Sequence, residues 1–171
     1  MSDGWAKFNK AIANLEAYGG DPKHVAEAGN YALSAAKLMC SGFILTSGEL
    51  RNSLSMTIEQ GRGEITAHVG TNKEYAPYVE FGTGPKGAAN HQGTSPEVEA
   101  VYSLTPWWIH ESQIDKAAAQ IYGWSYIDTE SGRFYKCSGQ PAHPFLYPAF
   151  SDNKEEIIKI LVKGLEEAVK G

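Results

Sequence analysis

The chain lacks a basic excess, a cysteine framework and any long apolar run, and each absence removes a class of function. Its 20 acidic residues outnumber 15 lysines and arginines, for a formal charge of −5. A protein that grips nucleic acid by its phosphates needs a basic face, because releasing counterions drives that binding. Tight DNA binding is therefore not expected, whereas a duct through which DNA slides is compatible with a neutral or acidic wall. Cys40 and Cys137 are the only two cysteines and stand far apart. They supply neither a zinc ribbon nor a dense disulfide framework, and reduced thiols are expected. No stretch approaches the roughly 20 apolar residues of a membrane span. The start, Met1-Ser2-Asp3-Gly4-Trp5, has no basic residues leading into an apolar run, so no secretion leader is expected.

What is present reads as one α+β domain over residues 1–171, with a helical part at 1–45. Trp5, Phe8, Ile12 and Leu15 share a helical face that stops at Gly19-Gly20. Asp21 offers an N-cap and Pro22 a first-turn residue for a second helix reaching about Cys40. Val25, Ala28, Ala32, Ala35, Ala36 and Met39 give that helix a stripe of small residues, which allows close approach of another element. Alternation over Ser55 to Gln60 and Glu64 to Val69, across Gly61-Arg62-Gly63, predicts a hairpin. Trp124 to Ile127 and Arg133 to Cys137 predict a second one. The expected architecture is a small antiparallel sheet of about four strands, packed by two N-terminal helices and a C-terminal helix. Gly82 to Pro96 is almost free of large apolar residues, and 82–105 is expected to be a long flexible loop. Pro106-Trp107-Trp108 is expected to open a helix reaching Tyr122. Ser151 is expected to cap the last helix, with Ile157, Ile158, Leu161, Val162, Leu165 and Val169 on one side.

Enzyme motifs fit poorly. Gly82-Thr83-Gly84-Pro85-Lys86-Gly87 matches the glycine string of dinucleotide sites, which works only between a strand and a helix whose N–H groups meet the pyrophosphate. The polar run after Pro85 predicts no amphipathic helix, so no cofactor is expected. His110-Glu111 begins like a zinc-protease helix, but Ile114 stands where the second ligand belongs. Convergence of His68, His91, His110 and His143 on a metal is not expected. Cys137 beside His143 reads as a surface hairpin thiol rather than a nucleophile pair, and no catalytic residue is assigned.

Three segments carry a resemblance. Thr46-Ser47-Gly48-Glu49-Leu50-Arg51-Asn52-Ser53-Leu54 resembles a "T-G-x-L-R-x-S" signature. Tyr75-Ala76-Pro77-Tyr78-Val79-Glu80-Phe81-Gly82-Thr83 resembles "Y-A-x-Y-V-E-F-G-T". Gly139 to Ala149 resembles "G-Q-x-x-x-P-F-L-x-P-A". In this order they are similar to the phage tail-component family named after gene product ten of phage HK-ninety-seven. The resemblance spans roughly residues 46 to 165, with Ser47 where Thr is usual and a longer segment from Pro85 to Gln120. It implies a structural virion protein of a tailed phage or prophage, a neck or tail-completion subunit between head and tail. Copies would form a ring, a hexamer or a dodecamer, touching the connector or stopper protein and a tail-terminator or tail-tube protein. Genomic DNA would pass without tight binding, no membrane would be involved, and the place would be the virion, with the host cytoplasm during assembly.

The residues assign interaction candidates at Tyr75, Tyr78, Glu80, Phe81, Gly82 and Thr83, and at Trp107 and Trp108. Aromatic anchors with one orienting carboxylate suit a subunit contact; packing into the chain's own core is the alternative for Tyr78, Phe81, Trp107 and Trp108. Structural roles fall to Leu50, Arg51, Ser53, Pro144, Phe145, Leu146 and Pro148, with the two prolines fixing the entry angle of the last helix. A small metal-dependent hydrolase or nuclease, or a monomeric regulatory binding module, are the competing readings.

Overall fold

The computed structural model describes residues 7–13, 21–41, 48–115, 119, 121 and 123–170. Trp5, Leu15, Thr46 and Ser47, and part of the helix expected to reach Tyr122, lie outside them. The chain divides into two compact units: unit 1 is Met1–Glu74 with Phe145–Gly171, and unit 2 is Tyr75–Pro144. The architecture is α+β, as expected, but its strands form two antiparallel sheets rather than one.

Unit 1 begins with helix α1 (residues 7–13) and the long helix α2 (Lys23–Cys40). Pro22, not Asp21, occupies the N-cap position, and the Asp21 carboxylate accepts a hydrogen bond from the Lys23 N–H at 2.9 Å. Along α2 the buried residues are His24, Ala28, Gly29, Ala32, Ala36 and Cys40, a ridge repeating every four residues. The small-residue stripe has a clear consequence. A Cβ at Gly29 would meet Ala67 Cβ at 2.8 Å and Met56 Cγ at 3.1 Å, so α2 lies directly on the hairpin formed by β1 (Ser55–Gly61) and β2 (Glu64–Gly70).

That hairpin is fully registered from Ser55↔Gly70 to Gly61↔Glu64. Its reversal rests on Gly63, at φ +75°, the conformation that a turn's second central residue needs in type II. Met56 and Ile58 are half-buried while Thr57 and Glu59 are exposed, which is the alternation of a one-sided sheet. Short helix α3 (Glu49–Ser53) precedes it and buries Leu50; Leu54, Phe145 and Ala149 are buried too.

After α6 (Tyr147–Ser151), helix α7 (Lys154–Lys170) packs against α2. Ser151 ends α6 and its hydroxyl bonds the Asp152 carboxylate at 3.0 Å, so it does not cap α7 as expected. The apolar side of α7 also differs from expectation. Gly164 is buried and Ile157, Leu161 and Ala168 are half-buried, whereas Ile158, Val162, Leu165 and Val169 are 44–48% exposed. Apolar residues occupy two stripes about 100° apart on the helix, and only one is covered.

Unit 2 contains α4 (Ala76–Phe81), α5 (Gly84–Ala89) and a three-stranded sheet in the order β3–β5–β4. Its strands are β3 (Trp107–His110), β4 (Tyr126–Thr129) and β5 (Gly132–Cys137). Two sequence expectations are corrected here, and one segment left without an element gains one. Trp107-Trp108 begins a strand, not a helix, because β5 supplies its backbone partners. Residues 75–81 are helical, started by Pro77 in the first turn and ended by Gly82 at φ +75°. The supposed loop from Gly82 carries α5 before the chain becomes irregular over residues 90–106.

Candidate interaction surface

The second and third sequence signatures, about 60 residues apart, meet within unit 2. Thr83 and Gln140 exchange backbone hydrogen bonds, Thr83 N–H to Gln140 O at 2.9 Å and Gln140 N–H to Thr83 O at 3.1 Å. The Gln140 side-chain amide donates to Tyr78 O at 2.8 Å, and His143 N–H donates to Val79 O at 2.8 Å. Lys86 N–H donates to Ser138 O, and Ala142 N–H donates to Asn90 O. The Tyr102 hydroxyl closes the end of α4 by donating to Phe81 O at 2.8 Å. Two stretches without a shared strand ladder thus satisfy each other's backbone groups, as buried polar groups must.

The glycines of this junction are explained by the close approach of backbone and of two aromatic rings. At Gly82 a Cβ would meet Ala142 N at 2.6 Å and Gln140 O at 2.8 Å; at Gly139 it would run into the Thr83 carbonyl. At Gly84 it would meet the Trp107 ring at 2.8 Å, and at Gly87 the Tyr102 ring at 2.9 Å. A helix does follow Gly82-Thr83-Gly84, contrary to the sequence expectation, but it has six residues. Its glycines make room for the chain's own backbone and rings rather than for a pyrophosphate, since a dinucleotide site needs that space open.

The interaction candidates divide by exposure. Tyr78 is 59% exposed, Tyr75, Phe81 and Thr83 are half-buried, and Gly82 is buried. Glu80, the expected orienting charge, is buried at 4% exposure. Trp107 and Trp108 separate because successive strand residues point to opposite faces. Trp107 stands opposite Cys137, on the face that carries buried Tyr135, and rests on Gly84; Trp108 stands opposite Lys136 on the other face and is 47% exposed. His110, Phe134 and Ile127 align across the three strands on that second face. Ile127 is 47% exposed.

Sequence reasoning missed part of this exposed apolar surface. Val98, Val101 and Leu104 on the irregular segment are 48%, 95% and 74% exposed, and Tyr126 on β4 is 52% exposed. The signal was available, since three aliphatic residues at three-residue spacing in a polar stretch do not fit a featureless loop. Electrostatics near β4 are local. Arg133 grips Asp128 through Nε at 2.7 Å and Nη2 at 3.1 Å, and its guanidinium lies 3.8 Å from the Tyr126 ring centroid. The hydrogen bond from Arg133 holds the Asp128 carboxyl below its ordinary value, and the same bond pushes the Arg133 guanidinium upward.

The structural residues of the first signature lie in unit 1. Arg51 is exposed, and the Ser53 hydroxyl shares a hydrogen bond with Thr71 at 2.6 Å. In the third signature Phe145 is fully buried, Leu146 and Pro148 are half-buried, and Pro148 lies in the first turn of α6. Pro144 is half-buried and belongs to unit 2, where it would touch a Cβ at Gly93 at 3.6 Å.

The histidines are held one by one. His68 lies 3.2 Å from Glu59, His91 stacks near Tyr102, and His110 contacts Ser112 and the Ser131 carbonyl. Among the described residues no group of three His, Cys, Asp or Glu could hold a metal ion. Cys137 is buried, not the surface thiol expected, because it ends the inward-facing row of β5. Among the described residues no helix is long and apolar enough to cross a membrane.

Residues 9–82 match the model of a family described as "Bacteriophage HK97-gp10, putative tail-component". The match runs from α1 through α4 and includes the first signature and the second as far as Gly82; Trp107, Trp108 and the third signature lie beyond it. The resemblance seen in the sequence holds where the two spans overlap, over residues 46–82, and it supports a structural role in a phage tail. Comparison with curated proteins and with solved structures gives no match.

Proposed function

From the family match over residues 9–82, we propose that this chain is a neck or tail-completion subunit of a tailed phage, assembling as a ring between connector and tail tube. The observation that carries the assembly part is the exposed apolar surface of unit 2: Tyr78, Val101, Leu104 and Trp108 are each 47–95% exposed. Exposed aromatic and aliphatic side chains of this kind are what protein contacts use as anchors. A head-to-tail contact whose rotation divides a full turn closes into a collar of identical interfaces. The partners would be further copies of the chain, the connector or stopper protein above and the tail-terminator or tail-tube protein below. With a charge of −5, such a collar would let DNA pass without gripping it.

The test is a phage carrying Trp108→Ser and Tyr78→Ser in this gene. Filled heads without tails, beside free tails, are expected, and the purified variant should lose the ring seen for the parent by electron microscopy. Normal tailed particles from the variant, or mature particles that mass spectrometry shows to lack the chain, would remove the proposal.

A further inference from the structure

The exposed stripe of α7 lies in unit 1 and takes no part in the surface just described. Ile158, Val162, Leu165 and Val169 are spaced four, three and four residues apart, each close to half exposed. This is the seam spacing of a coiled coil. The 4-3-4 order also reads the same in both directions. A second α7 laid antiparallel therefore sets Ile158 over Val169 and Val162 over Leu165 without a gap.

The charges beside the stripe choose the occupant. Glu155, Lys159, Glu166 and Lys170 run along one flank and all are exposed. Read backwards, acid-base-acid-base becomes base-acid-base-acid. In an antiparallel pair Lys159 faces Glu166 of the other copy and Glu155 faces its Lys170, four opposite-charge contacts across the dyad. A parallel pair would set this flank against the opposite one of the other copy, at Leu161 and Ala168, and leave these charges without opposite partners. Within one chain Lys159 contacts Glu156 at 3.0 Å and Lys170 contacts Glu166 at 3.6 Å, exposed pairs that exchange partners at little cost. We infer that α7 is a self-complementary interface that joins two copies of this chain antiparallel through Ile158, Val162, Leu165 and Val169, with Lys159 and Glu166 fixing the direction. A 17-residue helix is about 25 Å long, so the contact is narrow and the dimer should be weak and concentration-dependent.

Sedimentation equilibrium of the full-length chain tests it. The parent should show reversible pairing in the micromolar range. Lys159→Glu and Glu166→Lys should each weaken it roughly tenfold, and Leu165→Asp should weaken it at least about a hundredfold by burying a charge. The double reversal Lys159→Glu with Glu166→Lys should return pairing to within about threefold of the parent, because the facing charges again differ. Arg62→Glu changes net charge equally but lies in the turn between β1 and β2, off α7, and should leave pairing unchanged. Circular dichroism of the exposed-charge variants should stay that of the parent. Failure takes recognisable forms: no self-association of the parent at any concentration, which would leave the stripe to other residues of the chain or to another protein; association indifferent to both reversals; or a double reversal that does not restore it.

Discussion

At Gly29 in unit 1 the obstacles to a side chain are other side chains, Ala67 Cβ at 2.8 Å and Met56 Cγ at 3.1 Å; at Gly82 and Gly139 in unit 2 they are backbone atoms of the opposing strap. The contrast holds for the two signature segments of unit 2, although Gly84 nearby abuts the Trp107 ring. Unit 1 is a long helix lying on a registered hairpin, with α7 beside it, and its buried side chains are mostly small or aliphatic, with Phe145 and His24 among them. Unit 2 has a three-stranded sheet, yet its two signature segments are tied by backbone hydrogen bonds around Thr83 and Gln140. Side-chain packing can relax when one atom is removed. A backbone-to-backbone contact cannot, because no substitution deletes a carbonyl.

The largest expected effect is therefore at the unit 2 junction. Gly139→Ala puts a methyl group into the Thr83 carbonyl and holds alanine at φ +76°. Left-handed strain alone costs about 1–3 kcal/mol, and displacement of the paired bonds between Thr83 and Gln140 adds to it, for a loss of about 4 kcal/mol or more. Urea unfolding gives the loss, and hydrogen exchange at the Thr83 and Gln140 amides should rise before other positions. Protection that survives the substitution would show that the two straps can separate by a few tenths of an ångström without consequence.

Gly29→Ala should be milder, about 1–2 kcal/mol: overpacking costs about 1–3 kcal/mol, and alanine's better helix propensity returns up to about 1 kcal/mol. Here the comparison can be sharpened by rescue. Ala67→Gly removes the nearest atom, so the double variant should recover much of the loss beyond the cost of a strand glycine. A double variant as unstable as the sum of its parts would mean that the obstacle is the hairpin backbone after all, and the contrast between the units would fail.

The same contrast explains what the sequence disclosed. Unit 1 rests on periodic side-chain patterns, so α2 to Cys40, β1 and β2 were legible within a residue or two of their ends. Unit 2 has one local pairing, the β4–β5 hairpin that the sequence also disclosed, and otherwise rests on pairings distant in sequence, which leave no local period. Trp107–His110 is a strand because β5 lies about 30 residues downstream to pair with it; from its own neighbourhood, Pro106 followed by two tryptophans suggested a helix start. Helix α5 has the sequence Gly-Pro-Lys-Gly-Ala-Ala, poor by propensity, and its Lys86 N–H bonds Ser138 O across the junction. The interaction candidates were half legible: aromatic residues announced a surface, but only strand alternation could send Trp107 and Trp108 to opposite faces. On α7 the apolar positions were legible, whereas which of two stripes packs on α2 depended on a neighbour the periodicity does not encode.

The smallest expected effect separates the surface charges of the two units. In unit 1, His68 and Glu59 meet diagonally across the hairpin through a single contact at 3.2 Å. In unit 2, Asp128 and Arg133 are direct cross-strand partners with two bonds, at 2.7 and 3.1 Å, the bidentate geometry that makes arginine the stronger partner. The Arg133 hydrogen bond lowers the Asp128 carboxyl below 3.8. A carboxyl lowered in the folded state stabilises it above the unfolded value, and that contribution is lost as pH falls through the folded one. The window lies below pH 3.8, and because the pair is solvent-exposed, the contribution is small and screened by salt. Titration of the Asp128 carboxyl by NMR should place its midpoint below 3.8 in the parent and return it to about that ordinary value in Arg133→Gln; a midpoint that ignores the substitution would mean the two side chains spend their time in water, leaving the turn between β4 and β5 to Thr129, whose hydroxyl donates to Gly132 O at 2.8 Å.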